Sequence, residues 1–321
     1  MDTDLSWDKA LLCPPKTKMC KDDFCKENCK NVTEPAKSFF GMIKVLPQTT
    51  QQCEEPENPV INDLDDILTN FIYDSSKNIW AFKTAPTNYV SVKAVAPKVD
   101  ISYEIKVLKY MKTSILHAVP HFPEYIANYT SKKLLADPAF IKFMTTNNNP
   151  QQLLVTYPFR RGTLSEFLTH SMSSELLLAG SHIEQTKLHA VFFQLYFILY
   201  AMAQMGIQHN NLNIEKNVFV IYNTSACQEA LYVSGFELYR IPFGNQIYID
   251  DFSLSSCKAC GSNPNVKKQT FNDTYTILNQ IKPIVRGDVF LTNLIETTIH
   301  NPTNIKFLPE LEFFNKFLNN K

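Results

Sequence analysis

Apolar positions follow two periods along this chain, and each change of period marks an element. From Tyr89 to Val95 (YVSVKAV) apolar and polar residues alternate in a β-branched run, which predicts a strand with Lys93 on the face opposite Val92 and Ala94. The polar turn Asp74–Asn78 leading to Ile79–Phe82 predicts a hairpin just before it. From Asp100 to Met111 the spacing turns helical, with Ile101, Ile105, Leu108 and Met111 on one side and Asp100 as N-cap. Strands are expected at Tyr125–Tyr129 and Gln152–Tyr157, followed by a polar break at 158–162. Thr163-Leu-Ser-Glu166 then has the form of a capping box ahead of a short helix. Residues 190–205 are apolar except for Gln194 and Gln204. A membrane span takes about twenty apolar residues, so this run predicts a buried core helix over about 183–205, stopped by Gly206. Short strands are expected at 217–222, 230–234 and 246–249, and a helical region from about Tyr275 onward.

This texture divides the chain into three. Residues 1–60, rich in Pro, Lys, Cys, Gln and Glu, read as a Cys-rich extension or linker rather than a core element. Residues 61–157 form a strand-rich part and 158–321 a helix-led part. The expectation is an α+β protein of two lobes with a cleft between them as the default site.

Composition removes several functions. Lys+Arg and Asp+Glu both number 31, so there is no cationic surplus for a nucleic-acid binder. With 45% hydrophobic and 19% charged residues the chain is too apolar for intrinsic disorder. None of the 8 glycines stands at the spacing of a dinucleotide fingerprint or a P-loop. The acidic first residues lack a secretory signal, which points to synthesis in the cytosol and gives the N-x-S/T triplets at Asn31, Asn128, Asn223 and Asn272 little meaning. Cys20, Cys25 and Cys29, with the distant Cys257-Lys-Ala-Cys260, offer thiolates for a zinc site. Reduced thiols, or disulfides in an oxidising particle, are the other readings of the same cysteines.

In order, the segments resemble a protein kinase, over about residues 63–290. Val90-Ser-Val-Lys93 is similar to the strand-lysine motif V-A-I-K, and 103–108 (YEIKVL) to the helix that supplies its ion-pair partner. The segment 154–157 (LVTY) resembles the hinge, and 162–168 (GTLSEFL) the helix after it. Gly206-Ile-Gln-His209-Asn-Asn-Leu212, with 217–220 (NVFV) beyond, resembles the catalytic loop. Asp251-Phe252-Ser253 resembles the metal-binding D-F-G, and Asp273 stands where the family has a buried Asp opening a later helix. Within the family the chain is most similar to the divergent kinases of large DNA viruses, through the H-N-N-L form of the loop and the preceding Pro120-His-Phe-Pro123. The F-S-L-S of 252–255 is similar to haspin-type kinases.

The resemblance implies a bilobal protein-kinase-like fold with a β-rich first lobe and a shortened, mainly helical second lobe. It implies Mg-ATP as cofactor, a protein substrate or partner, no nucleic acid, no membrane span, and residence in host cytoplasm or virion rather than secretion. Carried over, Lys93 holds phosphates, Glu104 orients Lys93, Asp251 coordinates Mg²⁺, and backbone groups near Thr156 and Tyr157 read the adenine. His209 packs against the metal loop and Asp273 is scaffold. Three departures follow. The catalytic aspartate is Asn211, or Asn210 if the register shifts, and an amide takes no proton at neutral pH. The loop asparagine that holds a second Mg²⁺ falls at Lys216, so either Asn217 serves through a one-residue insertion or that ligand is lost. No glycine lies between Gly41 and Gly162, which leaves the turn at Asp74–Asn78 to cover the phosphates. Loss of a positioned base lowers rates by about 10²–10⁴-fold. The sequence therefore favours a pseudokinase or strongly impaired Ser/Thr kinase, with a non-catalytic virion or interaction module and an active atypical kinase as the other readings.

Overall fold

The computed structural model describes residues 40–47, 71–74, 79–83, 89–95, 100–114, 121–130, 152–157, 162–173, 182–222, 227–234, 237–242, 245–264, 266, 272–300 and 312–318. The fold is α+β, made of small antiparallel sheets and helices. After strand β1 (Phe40–Pro47), a five-stranded sheet is formed by β2 (Phe71–Asp74), β3 (Ile79–Lys83), β4 (Tyr89–Val95), β5 (Glu124–Thr130) and β6 (Gln152–Tyr157). Its order is β2-β3-β4-β6-β5 with every pair antiparallel. β2 and β3 are the expected hairpin, Asp74 opposite Ile79, while the turn of 75–78 lies outside the described residues. Register sets Lys93 of β4 opposite Leu154 of β6.

Helix α1 (Ser102–Ser114) joins β4 to β5. Asp100 Oδ1 accepts the Ser102 N–H at 2.8 Å, which satisfies one of the orphan donors at the helix start. Ile101, Tyr103, Val107, Leu108 and Met111 enter the core, whereas Ile105 is only partly covered because the inward face is shifted toward Tyr103 and Glu104.

The second half opens with β7 (Gly162–Thr163) and α2 (Leu164–Ser173). The capping box is reciprocal: Thr163 N–H donates to Glu166 Oε2 at 2.8 Å and Glu166 N–H to Thr163 Oγ1 at 3.2 Å. Helix α3 (His182–Gln204) follows. It is apolar on all sides, as a helix surrounded by protein must be. Among the described residues α3 is the one helix long and apolar enough to cross a membrane, and 78% of its apolar window is buried inside the fold. Gln194 explains the polar interruption, since its side chain accepts Ile247 N–H and donates to Asn245 O.

Beyond α3 come β8 (Ile207–Gln208), β9 (Val218–Tyr222), β10 (Cys227–Ser234), β11 (Glu237–Pro242), β12 (Asn245–Ile249) and β13 (Ser256–Cys257). Helices α4 (Asp273–Ile281) and α5 (Val289–Ile299) and a 3-10 segment at Glu312–Phe317 complete the described chain. One expectation changes here. Residues 40–47 do not behave as linker, because β1 pairs with β10, which pairs with β11. The run FGMIKVLP is locally apolar and β-prone although Pro, Lys and Gln dominate the surrounding composition. Its partner strand buries Ala230 and sets Tyr232 against Phe193 and Phe197 of α3.

His121 ties the five-stranded sheet to the second half. Its Nδ1–H donates to Ile247 O at 2.8 Å, which leaves Nε2 to accept from Tyr232 Oη at 2.9 Å. Burial pushes this ring's pKa down to about 4, so the neutral form that both contacts require is the one present at neutral pH.

Candidate functional site

Three charged side chains remote in sequence meet between α1, β4 and the segment after β12. Lys93 Nζ lies 3.1 Å from both carboxylate oxygens of Glu104 and 2.5 Å from Asp251 Oδ1. Glu104 is 1% exposed, while the Lys93 and Asp251 side chains each keep 35% of their surface open. The cluster thus has a buried anchor and a solvent-facing side. Burial works against the Lys93 charge, but the Glu104 and Asp251 carboxylates outweigh it and hold the ammonium above the ordinary lysine value. Burial raises Glu104 to about 7 despite Lys93. Asp251 stays below the usual carboxylate range: burial opposes this, but Lys93 and the Ser253 hydroxyl prevail. Two carboxylates against one ammonium leave the site short of positive charge.

Local backbone explains how Asp251 reaches Lys93. Asp251 adopts φ 66°, a left-handed conformation that a non-glycine residue holds only when its surroundings impose it. Its N–H donates to Asp250 Oδ1 at 2.8 Å, and Ser253 Oγ–H returns to Asp251 Oδ1 at 2.8 Å. Ser253 therefore caps the carboxylate. Phe252 is fully buried, edge-on to Phe122 and His209 at 6.0 and 5.0 Å between centroids.

The loop after α3 is organised by Asp273 and Asn217. Asp273 Oδ2 accepts His209 N–H at 2.5 Å and Oδ1 accepts Asn210 N–H at 2.8 Å, which helps hold Asn210 at φ 64°. His209 Nε2–H donates to Asp250 O at 2.8 Å, and burial lowers the pKa of this ring, favouring its neutral form. Asn210 Nδ2 donates to Leu254 O at 3.1 Å, stitching the loop to the chain after Asp251. Asn211 is exposed. Asn217, 3% exposed, closes the loop: its Nδ2 donates to Asn211 O and its Oδ1 accepts Asn213 N–H, both at 2.8 Å. An amide oxygen has two lone pairs, so Oδ1 retains one acceptor site beyond this bond.

Thr156, buried, pairs with Ser91 in the register that pairs Lys93 with Leu154, so these four residues share one sheet face. Tyr157 points to the other face and is half-buried. Cys20, Cys25 and Cys29 lie outside the described residues, and no group of three or more His, Cys, Asp or Glu side chains that could hold a metal ion occurs among the described residues. Cys257 and Cys260 form a disulfide with each other, so as described neither presents a thiolate to zinc.

Tyr103 belongs to this region although the sequence singles it out only as the first residue of the 103–108 helix motif. Its hydroxyl accepts Cys257 N–H at 2.9 Å and donates to Gly261 O at 3.1 Å. Asn263 is similarly silent in the sequence; its Nδ2 donates to Ser253 O and Ser255 O at 3.0 and 2.7 Å. The chain matches no protein-family model and no curated protein.

Proposed function

We propose that this chain is a bilobal, protein-kinase-like protein of the divergent type carried by large DNA viruses, binding Mg-ATP with strongly impaired phosphoryl transfer. The observation that carries this reading is the Lys93 ammonium held between the Glu104 carboxylate and Asp251 Oδ1. Lys93 lies on the third strand, in chain order, of the five-stranded sheet, and Glu104 on the helix that follows, the placement of the lysine–glutamate ion pair in protein kinases. Further support comes from Asp273, whose carboxylate receives two loop N–H groups, and from His209 bonded to the carbonyl of Asp250.

The residues present suit a magnesium ion. Asp251 is ionised and half-exposed, Asp250 is its neighbour, and Mg²⁺ takes one or two carboxylates together with substrate phosphates. Glu104, raised to about 7 by burial beside Asp251, registers the cation deficit that such an ion relieves. Asp251 would hold the metal, with the remaining acceptor site of Asn217 Oδ1 as a further oxygen from the loop. The bound metal supplies neutralisation of the charge on the phosphates. Lys93 offers its ammonium to the same phosphates while Glu104 fixes its direction. The end of β6 near Thr156 and Tyr157 offers backbone groups to a base.

What this site lacks is a proton acceptor at the position of Asn211, and this favours a second reading, a non-catalytic interaction module on the same fold. Titration of the full chain with Mg-ATP under thermal denaturation separates the two. Nucleotide binding raises the Tm by mass action, about 2.7 kcal/mol of stabilisation at a hundredfold excess over Kd. A Tm unmoved by millimolar Mg-ATP eliminates the nucleotide site. Radiolabelled phosphate transfer by the wild type that equals an Asp251→Ala control eliminates catalysis.

A further inference from the structure

Cys257 and Cys260 close a four-residue ring directly after the Asp251 segment, and the structure ties that ring to the helix bearing Glu104. We propose that this pair is a reversible dithiol–disulfide modification site through which a dithiol reductant controls the position of α1 and hence of Glu104, an inference that rests on the nucleotide-site reading above.

Tyr103 is the linkage. Its hydroxyl bridges the start of the ring and the residue just past it, accepting from Cys257 N–H and donating to Gly261 O. Tyr103 immediately precedes Glu104 and is 2% exposed. Cys257 also pairs with Ile207 in the β8–β13 ladder and with Gly261 across the ring, and Lys258 N–H donates to Gly206 O at 3.1 Å. The same short segment therefore contacts α1 and the turn that enters the Asn210–Asn211 loop. From the other side, Asn263 returns to Ser253 and Ser255 and couples the ring to the residues that cap Asp251.

A cross-link three residues long removes little chain entropy from the unfolded state, because that stabilisation grows with loop length. Its effect is local, on the shape of 257–261. Access is one-sided: Cys257 is 3% exposed, Cys260 is partly exposed, and Lys258 and Ala259 between them face solvent. A thiolate of the reductant attacks Cys260 Sγ, the S–S bond breaks, and Cys257 leaves as thiolate and takes a proton. The reductant's second thiol then attacks the mixed disulfide and releases the Cys260 thiol. The protein pair gains two electrons and two protons, and the reductant becomes a disulfide. With the ring open, segment 257–261 no longer presents Cys257 N–H and Gly261 O to one hydroxyl, and the turn of α1 carrying Tyr103 and Glu104 loses that anchor. The rest of α1 stays packed through Val107, Leu108 and Met111.

The test uses the full chain, oxidised with glutathione disulfide or reduced with dithiothreitol, with differential alkylation and peptide mapping to read the state of Cys257 and Cys260. Hydrogen exchange of α1 amides is expected to rise at least tenfold on reduction. In Cys257→Ser/Cys260→Ser exchange is expected to be high and indifferent to reductant. In Tyr103→Phe, which removes only the hydroxyl, the response to reductant is expected to vanish. The proposal fails if the pair stays alkylatable after oxidation, if α1 exchanges equally in both states, or if the double serine variant still responds through the other cysteines. Mg-ATP thermal shifts, measured in both states, are expected to be smaller in the reduced one. Absence of a nucleotide shift in both states with the α1 response intact removes the nucleotide reading alone. A full and equal shift in both states with α1 unchanged removes the switch alone.

Discussion

Two lysine-centred clusters in this molecule use similar groups for opposite ends. In the first, Lys93 faces Glu104 and Asp251 with part of its surface open. In the second, Lys316 of the C-terminal 3-10 segment contacts His189 Nδ1, and His189 Nε2–H donates to Asp288 Oδ2 at 3.0 Å. The second cluster encloses its acid and imidazole and leaves Lys316 exposed. His189 and Asp288 are 3% and 5% exposed, His189 stacks on Phe290, and Lys316 lies over the rings of Phe290 and Phe317 at 4.9 and 5.3 Å. Asp288 also caps α5 by accepting Leu291 N–H at 3.0 Å. The electrostatic directions separate the pair: carboxylates raise Lys93, whereas burial lowers Lys316. The Lys316 cluster sets one acid and one imidazole, both enclosed, beside one ammonium at the surface. The Lys93 cluster sets two acids against one ammonium and keeps part of its surface open.

The largest expected effect on that contrast is Asp288→Ala. It strips a buried partner from His189 and the cap from α5, and is expected to cost about 3 kcal/mol in urea denaturation. Asp251→Ala tests the open cluster by the opposite signature. Stability is expected to change by less than about 1 kcal/mol, as for partly exposed ion pairs, while Mg-ATP affinity falls at least tenfold by calorimetry. A loss of several kcal/mol with unchanged affinity would reverse the roles assigned to the two clusters. Lys316→Met removes the ammonium from His189 and from over the Phe290 and Phe317 rings, and about 1 kcal/mol is expected. The smallest effect is one of slope. Glu104 sits at about 7 when folded against an ordinary 4.5, so the folded state holds its proton more tightly than the unfolded one. Its contribution to stability is then complete below about pH 4.5 and is lost as pH rises toward 7. Glu104→Gln is expected to remove that decline from a Tm against pH series, and an unchanged slope would show that Glu104 does not titrate there.

The two clusters also differ in how far the sequence discloses them. Lys93, Glu104 and Asp251 each stand inside a short recognisable segment, and the order of segments brings them forward before any geometry is known. His189 and Lys316 are 127 positions apart, and neither has a local pattern that distinguishes it from surface charge. Elements read well where period and capping act locally, as in α3, β6 and the Thr163–Glu166 box. They read poorly where a distant partner decides. Strand β1 was hidden by averaging over a polar stretch, and β11 has no strong alternation of its own. Tyr103 was legible only as the first residue of the 103–108 motif and not as a clamp, because its partners are backbone groups at and just past a ring closed by two cysteines.

Strand β1 carries one more consequence, for the order in which this protein is made. Its ladder partner among the described residues, β10, lies roughly 180 residues further along the chain. At about 5–20 residues per second the ribosome needs about 10–40 s to supply that partner. Until then an apolar, β-prone segment has an open edge. The three-stranded sheet is thus a late event of synthesis, and the nascent chain is most exposed to chaperones and to mispairing in the interval before Cys227–Ser234 emerges.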